Sequence, residues 1–191
     1  RGWLVFALVA ILASGCAANA REERARFTSA DTATVDRLLG LIEERLDVAP
    51  EVARTKWNTK APIDDPPREE RVIDAAVAAA TEHGLEPQVA EGFFRGQIEA
   101  NKAIQRALHT EWTAQRQPPF SNVADLGVEI RPILDRLTPA LVRALAEALP
   151  ILQRRGGRRL LEAQARLVLA KAPGGEAAVR AAVAPLLTWS G

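Results

Sequence analysis

Apolar residues in this chain return every three or four positions and nowhere alternate with polar ones for long. Val35, Leu38, Leu39, Ile42 and Leu46 make one such stripe, and Val89, Phe93, Phe94, Ile98, Ile104 and Leu108 make another. That spacing lays one side of an α-helix against a core, whereas a half-buried strand needs a period of two. Ala, Leu, Glu and Arg, all good helix formers, dominate the chain. The core must therefore come from helices packed on helices. With 191 residues, 48% of them hydrophobic, the chain can fill one domain of ordinary size.

Proline and glycine divide the pattern. Ser29 or Asp31 can cap a first helix, with Asp36 in its early turn. The stripe continues through Val48, Val52 and Trp57, but Pro50 lies within it, and a proline there predicts a kink or break. Residues 61–67, with three prolines and two aspartates, end the segment. A second helix opens at Pro66 or Pro67, capped by Asp64 or Asp65, and stops near His83 with Gly84 behind it. Glu86-Pro87 opens a third, and residues 115–122 form a loop. Helical stretches follow over about 123–149, 158–172 and 175–188; Pro132 and Pro139 complicate the first, and glycines separate the others. The expected fold is all-α, a single bundle of about six helices.

Residues 1–20 read differently. Arg1 precedes an apolar run from Trp3 to Ala13, followed by small residues, the layout of an export signal. Cleavage after Ala18-Asn19-Ala20 would leave a chain beginning at Arg21; Ala13-Ser14-Gly15-Cys16 would instead end a lipoprotein signal at residue 15 and put a lipid anchor on Cys16. The run is shorter than the roughly 20 residues a stable membrane span needs. The domain proper then occupies 21–191, with 31–113 carrying most of any site and 123–191 forming a helical C-terminal half.

Composition excludes several chemistries. Positive and negative charges nearly cancel, at a formal +1, and there is no basic-aromatic stripe or phosphate loop, so no nucleic-acid or nucleotide partner is expected. Cys16 is the one cysteine, and His83 and His109 stand apart. A metal site needs three or four ligands, so no metal is expected, and both histidines read as surface or helix-end residues. Arg154, Arg155, Arg158 and Arg159 read as a solvated helix start broken by glycine, and Trp189 as packed or interfacial.

The polar residues with a claim to chemistry sit close to the apolar stripes. Arg45 and Lys56 are eleven positions apart, which returns to within about 20° of the same helix face. Two cations on an inner face are costly unless an anion meets them; the alternative is a solvated face shared with Glu43, Glu44 and Asp47. Arg68 lies in the first turn of a helix, where a cation opposes the dipole and gains nothing locally. It either serves another purpose or pairs with the acids around it. Asn101 and Gln105 are one turn apart beside the stripe that carries Ile98, and amides so placed need partners.

Taken in order, Arg45-Leu46, Lys56-Trp57, the segment from Pro62 to Glu69, and the run from Phe93 to Gln105 resemble the helical, type II chorismate mutases, and the export signal with the long C-terminal half looks like their secreted subclass. The resemblance is strong over about residues 36–110 and thinner to Arg131. It implies rearrangement of chorismate to prephenate without cofactor or metal, in a pocket built within one chain, by a periplasmic or secreted homodimer. It also implies roles. Lys56 and Gln105 would flank the ether oxygen, and Arg45 and Arg68 would clamp carboxylates. Arg131, or its competitor Arg136, would add a further arginine from the C-terminal half. Asp65 or Glu69 would accept from the ring hydroxyl, and Val72 and Asn101 would line the pocket where some relatives carry other polar groups. Two other readings fit a similar pattern: a lyase expelling pyruvate from isochorismate on the same scaffold, and a non-catalytic exported helical protein whose cations face solvent or pair with acids.

Overall fold

The computed structural model describes residues 27–191, so the expected export signal, both cleavage sites and Cys16 lie outside the described residues. Within them the structure is helical throughout: α1 Ser29–Asp47, α2 Ala49–Thr59, α3 Pro66–Glu82, α4 Pro87–Ala114, a π-helical turn Leu126–Ile130, α5 Arg131–Leu152, α6 Gly157–Val168 and α7 Gly175–Trp189. Only Val48 separates α1 from α2, so the two act as one bent rod and the bundle has six rods. The bend falls where the proline rule put it, with Pro50 in the first turn of α2.

The ends follow local chemistry. Thr28, not Ser29 or Asp31, is the N-cap of α1. Its hydroxyl accepts from the Asp31 amide, and the Asp31 carboxylate accepts from the Thr28 amide at 2.7 Å. Asp31 therefore belongs to the same capping box, one turn inside the helix. Asp65 caps α3 by accepting from the Arg68 amide, and α3 stops at His83 with Gly84 left-handed at φ 65°. Pro132 sits in the first turn of α5, while Pro139 and Pro150 lie inside it on exposed positions, where water can take the carbonyls they free.

At 28 residues, α4 is about 42 Å long and forms the axis of the fold. Its first half packs along α7, and its flanks meet α2 and α3; α5 lies against α1 and α3, and α6 closes the end of α1. Phe93, Phe94, Leu38, Leu39, Ile42, Leu46, Leu141 and Leu145 are fully buried between these helices. Trp189, as expected, packs back on the core, its ring against Gly92. Arg154 pairs with Asp31 at 2.8 Å and covers the Phe27 ring, so it ties the start of α1 to the α5–α6 turn, while Arg158 pairs with Glu162 within α6.

Helices α4 and α7 approach closely at Gly96. A Cβ there would stand 2.5 Å from Pro185 Cγ and 3.0 Å from the Ala181 carbonyl oxygen of α7. Next to it, Gln97 reaches across to donate to the Ala182 carbonyl at 2.8 Å. Gly96→Ala should therefore push α7 off α4 and destabilise the fold by about 1–3 kcal/mol, as overpacking does. Thermal unfolding by circular dichroism would read this as a midpoint several degrees lower; an unchanged midpoint would mean that α7 gives way freely.

Candidate active site

Every helix of the first two-thirds of the chain sends a polar side chain to one point. The last turn of α1 brings Arg45, and α2 brings Lys56. The α2–α3 loop and the first turns of α3 bring Asp65, Arg68, Glu69 and Val72, and the middle of α4 brings Asn101, Lys102 and Gln105. Arg131 comes from the first turn of α5. All of them line one cavity, which with its open mouth encloses about 670 Å³. Val52, Ile98, Ile130 and Leu134 supply apolar wall between the charges. The nine residues singled out from the sequence thus share a single pocket. Arg136 does not: it points outward, 65% exposed, and pairs with Glu44 at 2.7 Å.

Arg131 depends on the loop before it, which α2 clasps. Asn58 donates to the Phe120 carbonyl and accepts from the Phe120 amide, both at 2.8 Å, and the Thr55 hydroxyl donates to the Ala124 carbonyl at 2.8 Å. Arg54 covers the Phe120 ring. Asp125 then caps the π turn, accepting from the Gly127 and Val128 amides, and Ile130 packs with Val48 and Val52. The same region corrects the view of His109. It is half-buried, edge-on to Trp57 and tilted against Trp112, with Nε2 2.9 Å from the Ala53 carbonyl. It is part of an aromatic cluster that joins α2 to α4: Trp112 is one helical turn further along α4, and Trp57 comes to both rings from α2. Among the described residues, no group of His, Cys, Asp and Glu could hold a metal ion.

The electrostatics of the cavity are out of balance. Arg45 is only 3% exposed, and its Nε and Nη1 are buried without a hydrogen-bond partner. Burial, with Arg68 nearby, pulls its guanidinium down to about 10, against the opposing effect of Asp135. The Phe94 ring, 5.7 Å from the guanidinium carbon, offers it partial compensation. Lys56 is buried too, donates to the Ile63 carbonyl at 2.7 Å, and is held below the ordinary lysine value by burial. Arg68 is engaged by Asp135 at 2.6 Å, a partner with no sequence signal beyond its position one turn after Arg131. Among the described residues, Arg45, Lys56 and Arg131 have no ion-pair partner. The neutral amides complete the floor: Gln105 Nε2 donates to Asn101 Oδ1 at 2.7 Å, with its second hydrogen left over and its buried Oε1 unpaired.

Sequence reasoning missed Lys102, which lines the cavity but pairs with Asp64, Glu99 and Glu69. Its signal was present, since it sits three residues before Gln105 and so near the same face of α4. The expectation for a non-catalytic protein, cations facing solvent or paired with acids, fails for Arg45 and Lys56. A cavity of this kind is built to receive a small molecule with more than one negative charge and to set neutral and cationic donors around it.

A buried guanidinium without hydrogen-bond partners costs stability that the Phe94 ring returns only in part. Arg45→Met should accordingly leave the unfolding midpoint unchanged or raise it, by as much as about 1–2 kcal/mol of stability. A clear fall in the midpoint would mean that the guanidinium already has compensation within the fold.

Residues 30–106 match the family model for chorismate mutase type II, a span that contains every polar pocket residue named above except Arg131. The chain is 31% identical over 125 residues to a secreted chorismate mutase of Mycolicibacterium smegmatis, covering 65% of this chain and 68% of that protein. It is 35% identical over 107 residues to one of Yersinia pestis, covering 53% and 58%. In three dimensions it is similar to a chorismate mutase of Burkholderia thailandensis, with a TM-score of 0.75 and 32% identity over 80% of this chain and 98% of that one. With a relative of this identity matched over two-thirds of its length, and a cavity to correspond, the chain belongs to the chorismate mutase type II family.

Proposed function

We propose that the cavity rearranges chorismate to prephenate. What carries this reading is the convergence of Arg45, Lys56, Arg68, Arg131 and Gln105 on one pocket in a chain of this family. Chorismate carries two carboxylates and an ether linkage. In the reaction the C–O bond of the ether breaks as a C–C bond forms, with no proton transferred and no nucleophile. Arg45, Arg68 and Arg131 hold the carboxylates so that the enolpyruvyl arm lies over the ring, which removes an entropic part of the barrier. Lys56 and the free hydrogen of Gln105 face the ether oxygen, where negative charge grows in the transition state. Donors that strengthen only there raise the rate rather than the affinity alone. A million-fold acceleration would require about 8 kcal/mol, within reach of a few preorganised donors. Glu69 or Asp65 accepts from the ring hydroxyl. Export to the periplasm and a homodimer belong to the same proposal; the names of the secreted relatives support export.

Chorismate loss followed by ultraviolet absorbance tests the activity. The wild-type protein should form prephenate, and Lys56→Ala should lower kcat at least about a hundred-fold, the usual cost of one transition-state donor. A folded protein that leaves chorismate untouched would end the proposal. Lys56 must be protonated to donate, and burial lowers its pKa. Activity should therefore be lost as pH rises, with the alkaline limb below 10.5, the ordinary lysine value. The Gln105 amide donates at any pH, so little should change between mildly acidic and neutral conditions. Gln105→Glu should introduce a steep loss across that window, because a carboxyl donates only while protonated.

A further inference from the structure

We propose that Lys102 is a positioning residue for this reaction: it locks the α2–α3 loop and Glu69 in place, and through them aims the Lys56 ammonium. The inference rests on the mutase reading above. Lys102 lines the cavity with its side chain 11% exposed, yet it has nothing left to offer a ligand. Its Nζ lies 2.7 Å from Asp64, 2.8 Å from Glu99 and 3.3 Å from Glu69, so its three hydrogens meet three carboxylates. Burial works against the ammonium, but the hydrogen bonds to Asp64, Glu99 and Glu69 more than offset it and hold its pKa above the ordinary lysine value. The group stays charged and stays occupied.

Each partner leads to the chemistry. Asp64 is the neighbour of Ile63, whose carbonyl accepts from Lys56 Nζ at 2.7 Å; fixing Asp64 fixes that carbonyl and with it the direction of Lys56. Glu69 uses one carboxylate oxygen for Lys102 and the other for the Asp65 amide at 3.0 Å, so it is held from both sides. Arg106 adds a second cation to Asp64 at 3.0 Å and reaches Glu99 at 3.6 Å. Without Lys102, Asp64 and Glu99 would share Arg106 alone, and Glu69 would keep only the Asp65 amide. The three carboxylates would repel one another and attract Lys56 away from the substrate.

The test compares steady-state mutase kinetics for the wild type, Lys102→Met, Lys102→Arg, Asp64→Asn and the Lys102→Met/Asp64→Asn double variant, with thermal melts alongside. Lys102→Met should lower kcat about tenfold or more with KM within about threefold, the pattern of an effect felt at the transition state. Lys102→Arg, which keeps the charge, should restore most of kcat. The double variant should fall well short of the product of the two single losses, since both remove the same link. A folded Lys102→Met with unchanged kcat, a loss confined to KM, or a fully multiplicative double variant would overturn the inference. Should Lys102→Met fail to fold, Asp64→Asn combined with Glu99→Gln removes two of the three anchors and should lower kcat in the same way; unchanged kcat there overturns it too. A wild-type protein without mutase activity would instead fail the proposed function, and the melts would show it folded.

Discussion

Arg45 stands at the end of α1 beneath the ring of Phe94, with two guanidinium nitrogens that meet no acceptor. Placing a charge there costs several kcal/mol, and the fold is arranged so that the cost is tolerable. Leu38, Leu39, Ile42 and Leu46 on the same helix are buried and anchor it, so the arginine is carried inward by neighbours that gain from burial. The bend at Val48 turns α2 so that Lys56 faces the same space, and the long α4 supplies the opposite wall. The bundle thus holds together around a pocket that is electrostatically incomplete until an anion enters.

Completeness is managed by two different devices. Lys102 is saturated by acids, while Arg45, Lys56 and Arg131 line the cavity without an ion-pair partner among the described residues. Arg68 falls between, since Asp135 takes one edge of its guanidinium while a planar fork of five donors leaves others free. Cations of one type can therefore serve opposite purposes a few ångströms apart, and only their partners distinguish them.

Much of this was legible in the sequence. Helical period, proline breaks and the Asp65 and Gly84 signals gave the elements to within a few residues, because these are local effects. The pocket residues could be listed because Arg45, Lys56, Arg68, Asn101 and Gln105 sit at helical register beside apolar stripes and their order is that of a known family. What escaped was set by tertiary contact. Thr28 took the cap because its side chain and that of Asp31 satisfy each other's amides. His109 was drawn into an aromatic cluster by Trp57, fifty-two positions earlier in the chain. The choice of Arg131 over Arg136 rests on the clasp of residues 120 and 124 by α2, which no spacing reveals.

That clasp has a consequence for the energetics of the whole chain. Residues 30–106 bring all but one of the pocket's charges, and the last comes from α5, beyond an eleven-residue connection from 115 to 125. A dianion held by Arg45 and Arg131 together would bridge these two parts of the chain as a non-covalent staple. Ligand at a hundred times its dissociation constant would add about 2.7 kcal/mol to the cohesion of the two halves. Occupancy of the pocket and docking of the C-terminal helices are then two views of one equilibrium.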